Sequence, residues 1–236
     1  MTETKERDTV QPREGDFSDL YIRHFSFWDH LTDGQKELLN DHTHVRRFAK
    51  GTLLFGGEDD CLGVVLVKQG GLRVCTLSED GRDVTLYRVF PGEVEVLTAT
   101  CALKNVTYQV FVEADEDTEL LLTDSAAFGQ VAEGNIYARC AAYERAAGRL
   151  SDMLWSLQQI LFLSADKRLA RFLLDESANL RSDELKLTQE QIARYMGSAR
   201  EVVSRLLKYF SEAGMVRPGR GTVTITDREK LQRLAR

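Results

Sequence analysis

No run of about 18 apolar residues occurs anywhere in the 236-residue chain, so a membrane-spanning helix is not expected. The first fifteen residues, Met1 to Gly15, are polar and charged and lack an apolar core, which argues against a secretion signal. We read 1–16 as a flexible arm and expect a cytoplasmic protein. Three prolines and seventeen glycines are too few for a collagen-like or low-complexity chain. The four cysteines (Cys61, Cys75, Cys101 and Cys140) are far apart and form no Cys-x-x-Cys pair, so a zinc ribbon or a ferredoxin-type ligand run is not expected. With no secretion signal, reduced thiols are the default. Histidine is confined to His24, His30, His42 and His44, and none follows. A cupin-like metalloenzyme would need a His/Glu cluster within its β-domain, so an enzyme is not expected.

What is present suits an ordinary globular protein of two domains, with 43 % hydrophobic and 29 % charged residues. The net charge of −6 is unevenly spread. From Lys186 to Arg236 there are eleven basic against five acidic residues, while the rest of the chain is acidic. A basic tail on an acidic body points to a polyanion as partner of the tail.

From about Val45 to Thr123 the chain reads as short β-branched strands, for example Gly63–Val67, Leu72–Leu77 and Val84–Tyr87. Gly51, Gly56-Gly57, Gly70-Gly71, Asp80-Gly81 and Pro91-Gly92 punctuate them about every ten residues, and Glu79 to Arg82 reads as a hairpin turn. That rhythm predicts an antiparallel barrel or roll rather than a parallel βαβ sheet. Helix follows, with Ser125 as a candidate cap. Ile136, Cys140, Tyr143, Ala147, Leu150, Leu154, Leu157 and Leu161 alternate spacings of 4 and 3, which is a coiled-coil seam about four heptads long. A parallel dimer along one long helix, 134–163, satisfies it; a helix buried on its own domain uses the same stripe less narrowly. Ser164-Ala165-Asp166 ends the seam and caps a second helix from Lys167 to about Leu180, and Asn179 to Glu184 reads as a polar connector.

The informative segment runs from Leu187 to Leu207. Thr188 is placed to cap a short helix with Ile192, Ala193 and Met196 as its apolar face. Gly197 supplies a tight turn, Ser198 is a candidate cap, and a second helix buries Val203, Leu206 and Leu207. That is a helix-turn-helix. Gly214, Pro218-Gly219 and Gly221 then separate short strands at Met215-Val216 and Thr222 to Thr226, a β wing. The outer face of the second helix carries Arg200, Glu201, Ser204, Arg205 and Lys208. Arginine donates two parallel bonds to guanine and glutamate accepts from cytosine, so this face suits double-stranded DNA, with Thr188, Gln189 and Ser198 as further candidate contacts.

The run Gly197-Ser198-Ala199-Arg200-Glu201-Val202-Val203-Ser204-Arg205, together with the roll and the long helix, resembles the CRP/FNR superfamily of bacterial transcription regulators. The resemblance implies an α+β fold: a cupin-like antiparallel β-roll (17–133), a dimerisation helix (134–163) and a winged helix-turn-helix (164–236). It also implies a homodimer gated by a small effector, acting on a palindromic operator and on RNA polymerase, with Arg200, Glu201, Ser204 and Arg205 at base-contacting positions. The sensor departs from the better-known members. No arginine occurs between Arg88 and Arg139 to meet a cyclic phosphate, and Pro91-Gly92-Glu93 is followed by Glu95, which argues against cyclic AMP. No cysteine precedes Cys61, which argues against the iron–sulfur cluster of the oxygen-sensing branch. The effector is left open, a haem- or redox-responsive regulator being the alternative, as is a roll acting through protein partners.

Seam geometry puts Ala142, Ala146, Arg149 and Met153 on one flank, which in this family faces the roll of the same subunit. Two alanines leave space there and Arg149 adds a cation. A small effector, suited to be anionic, is expected among Glu93, Glu95, Thr98, Cys101, Arg149 and Met153; the alternative is an ion pair of Arg149 with Glu93 or Glu95. Cys101 and Cys140 are candidate redox thiols, with inert reduced thiols as the plainer reading. No metal site is expected.

Overall fold

The computed structural model describes residues 17–56, 63–77, 83–96 and 110–236. The expected arm, the hairpin turn at 79–82, Cys61, Thr98 and Cys101 lie outside the described residues. Those described fall into two compact units, the first running to Cys75 and resuming over Tyr87–Ser151, the second made of Thr76–Leu86 and Asp152–Arg236.

The β-rich part holds two four-stranded antiparallel sheets. One has the order β1 (Thr43–Phe48), β8 (Thr118–Thr123), β3 (Val64–Gln69), β6 (Val94–Val96). The other has the order β2 (Leu53–Gly56), β7 (Phe111–Ala114), β4 (Leu72–Leu77), β5 (Asp83–Val89). Val65, Val67, Leu120 and Leu122 of the first share a core with Leu72, Val74, Val89 and Val112 of the second. The opposite faces of β3 and β8, with Val64, Leu66 and Leu121, are covered by Tyr21, Phe25, Phe27 and Trp28. Burial on both faces explains why β3 reads as a continuous apolar run instead of alternating. Tyr21 belongs to α1 (Ser18–His24). Its hydroxyl reaches Thr43 and Thr123, which bond each other at 2.7 Å, and burial raises the phenol's pKa. Helix α2 (Asp33–Asp41) opens on a capping box, Thr32 with Gln35.

Two arginines of the roll are paired with acids. Arg73, 1 % exposed, faces its cross-strand partner Glu113 with Nε–Oε1 2.9 Å. Arg88 bonds Asp115 at 3.0 Å and lies over the Phe90 ring. Alternation alone reads both arginines as outward-facing.

The helices after the roll begin differently from the expectation. Ser125 is the first residue of α3 (Ser125–Gly134) rather than its cap; Asp124 precedes it and makes no side-chain cap bond. The long helix is not continuous from 134, because Asn135 is extended and interrupts it. Asn135 Oδ1 accepts from the amides of Tyr137 and Ala138 at 3.0 and 3.2 Å, so it caps α4 (Ile136–Phe162). Its Nδ2 donates to the His30 carbonyl at 2.8 Å, anchoring that start.

The second unit has its own core around Leu169, Leu173, Ile192, Val203, Leu207, Phe210 and Leu231. Helix α5 (Ala165–Leu180) starts two residues before Lys167; Ser164 occupies its cap position without a side-chain bond to an amide. The expected polar connector ends in a strand, β9 (Glu184–Leu185), which joins the wing as a third strand beside β11 (Thr222–Ile225) and β10 (Val216–Gly219). A final helix, α8 (Arg228–Ala235), was not expected; the Asp227 side chain caps it and it packs on α5 through Leu231.

Candidate functional site

Helix α6 (Gln189–Met196) begins where the Thr188 hydroxyl accepts from the Gln191 amide (3.2 Å) while Gln191 Oε1 accepts from the Thr188 amide (2.9 Å). The Thr188 hydroxyl also donates to Gln191 at 3.0 Å. Ile192, Ala193 and Met196 are buried as expected. Gly197 then takes φ +57°, a left-handed turn that a side chain resists, and the Ser198 amide returns to the Ala193 carbonyl at 2.9 Å. Helix α7 (Arg200–Glu212) starts one residue later than expected. Its cap position is Ala199, without a side-chain bond, so Ser198 does not cap it. The buried stripe is Val203, Leu207 and Phe210; Leu206, expected inside, is half-buried.

This register leaves Arg200, Glu201, Ser204, Arg205 and Lys208 all exposed on α7. Lys208 is at 4.0 Å from Glu212 across one turn. Gln189, the first residue of α6, and Ser198, in the turn, are half-buried. The sequence did not single out Arg194. Within the second unit its guanidinium donates twice to Asp83 (2.9 and 3.1 Å), and its carbonyl accepts from the Thr85 hydroxyl at 3.2 Å. Nothing in the spacing of Asp83 and Arg194, 111 residues apart, signals that bond.

On α4 all eight seam positions, Ile136, Cys140, Tyr143, Ala147, Leu150, Leu154, Leu157 and Leu161, are exposed, whereas Ala142, Ala146, Arg149 and Met153 on the flank are half-buried. The seam is thus the outer stripe of the helix. In the first unit, Arg149 Nε donates to Glu95 Oε2 at 2.6 Å, its second arm lies 3.5 Å from Glu93, and its guanidinium stacks over Tyr87 at 4.7 Å. Glu95 is only 3 % exposed. Burial lifts its carboxyl above the usual range, with Arg149 pulling the other way. Burial alone would lower Arg149, but the facing carboxylates outweigh it and hold the guanidinium's pKa up. The structure therefore makes the ion pair that the sequence offered as the alternative to an effector. Beside Ala141 and Ala142 it leaves a crevice of about 30 Å³, room for roughly one water.

Of the cysteines described, Cys75 is buried and Cys140 exposed. His30 stacks on Tyr137 at 3.8 Å. Among the described residues no group of three or more His, Cys, Asp or Glu is placed to hold a metal, and no helix is long and apolar enough to cross a membrane.

Comparison with known proteins agrees with this architecture. The family model of the Crp-like helix-turn-helix domain matches residues 167–234, and that of the cyclic nucleotide-binding domain matches 45–135. A crystal structure of a Crp/Fnr-family regulator from Eubacterium rectale is 38 % identical, with TM-score 0.85 over 90 % of this chain and 98 % of that one. Among curated relatives, the cAMP-activated global transcriptional regulator Vfr of Pseudomonas aeruginosa is 26 % identical over 74 % of this chain and 86 % of its own length. The nitrogen fixation regulation protein FixK of Azorhizobium caulinodans is 26 % identical over 79 % of this chain and 77 % of its own. A β-roll of two antiparallel sheets, a helix-turn-helix whose second helix exposes a largely basic face, and a three-stranded wing, matched by a 38 % identical relative over nearly its whole length, place the chain in the CRP/FNR family of transcription regulators.

Proposed function

We propose that the chain acts as a homodimer, gated by a small effector, on an inverted-repeat operator, and that it regulates transcription through contact with RNA polymerase in the cytoplasm. One observation carries this reading: α4 exposes an unbroken apolar seam at 3.5-residue spacing while α7 exposes Arg200, Glu201, Ser204 and Arg205 together. A parallel pair of long helices relates two reader helices by a two-fold axis, so the site is an inverted repeat whose half-sites lie about 34 Å apart. In this reading 17–133 senses, 134–163 dimerises and 164–236 reads DNA. Glu201 accepts from a cytosine, Arg205 donates to a guanine, and the family resemblance suggests a TGA-like core in each half-site. Ser204 contacts a thymine, Arg200 a second guanine or a phosphate, and Thr188, Gln189, Ser198 and Lys208 sit along the backbone.

The Arg149–Glu95 pair supports an effector other than a cyclic nucleotide. An anionic group has to displace Glu95 from Arg149, and no arginine between 88 and 139 is available to replace it.

Selection from random DNA tests the operator. Arg205→Ala is expected to flatten base preference at one symmetric pair of positions, a loss of about 1–3 kcal/mol of discrimination. Lys208→Ala is expected to weaken all sequences alike and lower the salt slope. A selection that returns no inverted repeat, or an unchanged preference in Arg205→Ala, removes this assignment of the reader.

A further inference from the structure

The second unit carries a feature that base reading by α7 does not use. An open cleft of about 480 Å³ lies between the start of α6, the first residue of α7 and the tip of the wing. Thr188 and Arg200 rim one side, Pro218 and Gly219 the other, and all four are exposed. The wing itself is narrow and basic. Strands β10 and β11 pair Arg217 with Thr224 and Gly219 with Thr222, leaving Arg220-Gly221 as the connecting turn. Neither Gly219 nor Gly221 projects a side chain, and Gly221 sits at φ +72°. A Cβ at Gly219 would strike the Thr222 hydroxyl, so the tip cannot easily be widened there. Arg220 is therefore the long side chain of the turn, and with Arg217 it is exposed. No acid occurs from Val216 to Ile225. Glu190 is the one acid lining the cleft among the described residues, and Arg200 lines it as well.

In duplex DNA one sugar-phosphate strand separates the major groove from its neighbouring minor groove. The first turn of α7 is the part of the reader that enters the major groove. A strand seated in the cleft then has Arg200 on its major-groove side and the wing tip on its minor-groove side. The minor groove is only about 6 Å wide, which suits a glycine-flanked arginine and excludes a broad loop. It narrows further, and its negative potential deepens, over A·T-rich sequence.

Resting on the DNA-binding reading above, we propose that Arg220, supported by Arg217, enters the minor groove flanking each half-site and makes the protein prefer A·T pairs there. The wing thus reads DNA shape outside the positions that α7 touches.

The test uses the full chain and the operator returned by selection, with the flanking pairs set to A·T, G·C or inosine·C. Inosine·C removes the guanine 2-amino group from the minor groove and leaves the core untouched. Wild type is expected to bind G·C flanks about tenfold more weakly than A·T flanks. Inosine·C flanks should restore most of the loss. Arg220→Ala should bind all three flanks alike while keeping the base preference of the core, which shows that it folds and reads. Equal weakening of Arg220→Ala on every flank together with a persisting flank preference, or indifference of wild type to the flanks, overturns the proposal and leaves a phosphate contact only. Wild type without sequence-specific binding to any duplex would overturn both this proposal and the reading it rests on.

Discussion

Arg149 and Glu95 form a buried charge pair of the first unit. The pair is nearly closed off from water, and burial raises the Glu95 carboxyl even with Arg149 beside it. Buried charges attract strongly yet lose their hydration, so removing one partner is far worse than removing both. Arg149→Met should therefore cost about 3 kcal/mol of unfolding free energy at pH 7. Arg149→Met combined with Glu95→Gln should return most of it. The pH dependence has a definite sign. Glu95 holds its proton more tightly folded than unfolded, so its contribution to stability increases as pH falls through its folded value towards the ordinary carboxylate value of 4.5, and is constant below. Without Arg149 that gain on acidification should become larger. Urea denaturation of the three proteins at pH 7 and pH 5 measures both effects, and a double variant as weak as the single one would show that packing, not charge, holds this part of the roll. Glu119 behaves oppositely: bonds from Lys68 and Arg47 hold its carboxyl below the usual range, so its contribution is present at neutral pH and lost as pH falls through the folded value.

At the scale of elements, two local devices set the start and the end of α6, the Thr188 capping box and the left-handed Gly197. Thr188→Ala should destabilise the second unit by about 1 kcal/mol. Hydrogen exchange should show the change first in α6 amides; an unaltered pattern would mean that tertiary packing alone fixes the helix start. These devices were legible in the sequence because they depend on near neighbours: a threonine three residues before a glutamine, and a glycine after an apolar stripe. The seam was legible for the same reason, its eight positions keeping one spacing. Other features were not. Ser198 has the residue type of a cap, but the path out of Gly197 delays α7 until Arg200, and Ala199 takes the position. Asn135 breaks the long helix because its side chain accepts from two amides of the next helix's first turn, a role that heptad spacing passes over. Arg73 looks outward by alternation and is buried against Glu113, and α8 carries too few apolar residues among its charges to stand out. At Arg73 a tertiary contact overrules the local pattern, whereas at Ser198 and Asn135 the local backbone path and capping decide.

At the scale of the whole molecule, the exposed seam has to be reconciled with water. Leu150, Leu154, Leu157 and Leu161 are each roughly half exposed, from 49 % to 64 %. Covering the exposed half of a leucine contributes about 1 kcal/mol, so eight leucines in a dimer supply roughly 8 kcal/mol. Association itself costs about 4–15 kcal/mol, which makes the leucines alone marginal. Ile136 and Tyr143 extend the same stripe, and Trp155 and Phe162 beside it are also exposed, so the apolar area available exceeds what the leucines provide. A charge at the middle of the stripe should tip this balance. Leu154→Glu places two carboxylates against each other across the proposed axis and removes two apolar contacts. The variant should sediment as a monomer at micromolar concentration and keep its helical circular dichroism, since position 154 is already exposed within one chain. It should also bind a single half-site as weakly as a full inverted repeat, because two readers are no longer held one helical turn apart. A variant that stays dimeric would move the interface away from the seam, and one that is monomeric yet still prefers the full repeat would show that DNA, rather than α4, brings the two copies together.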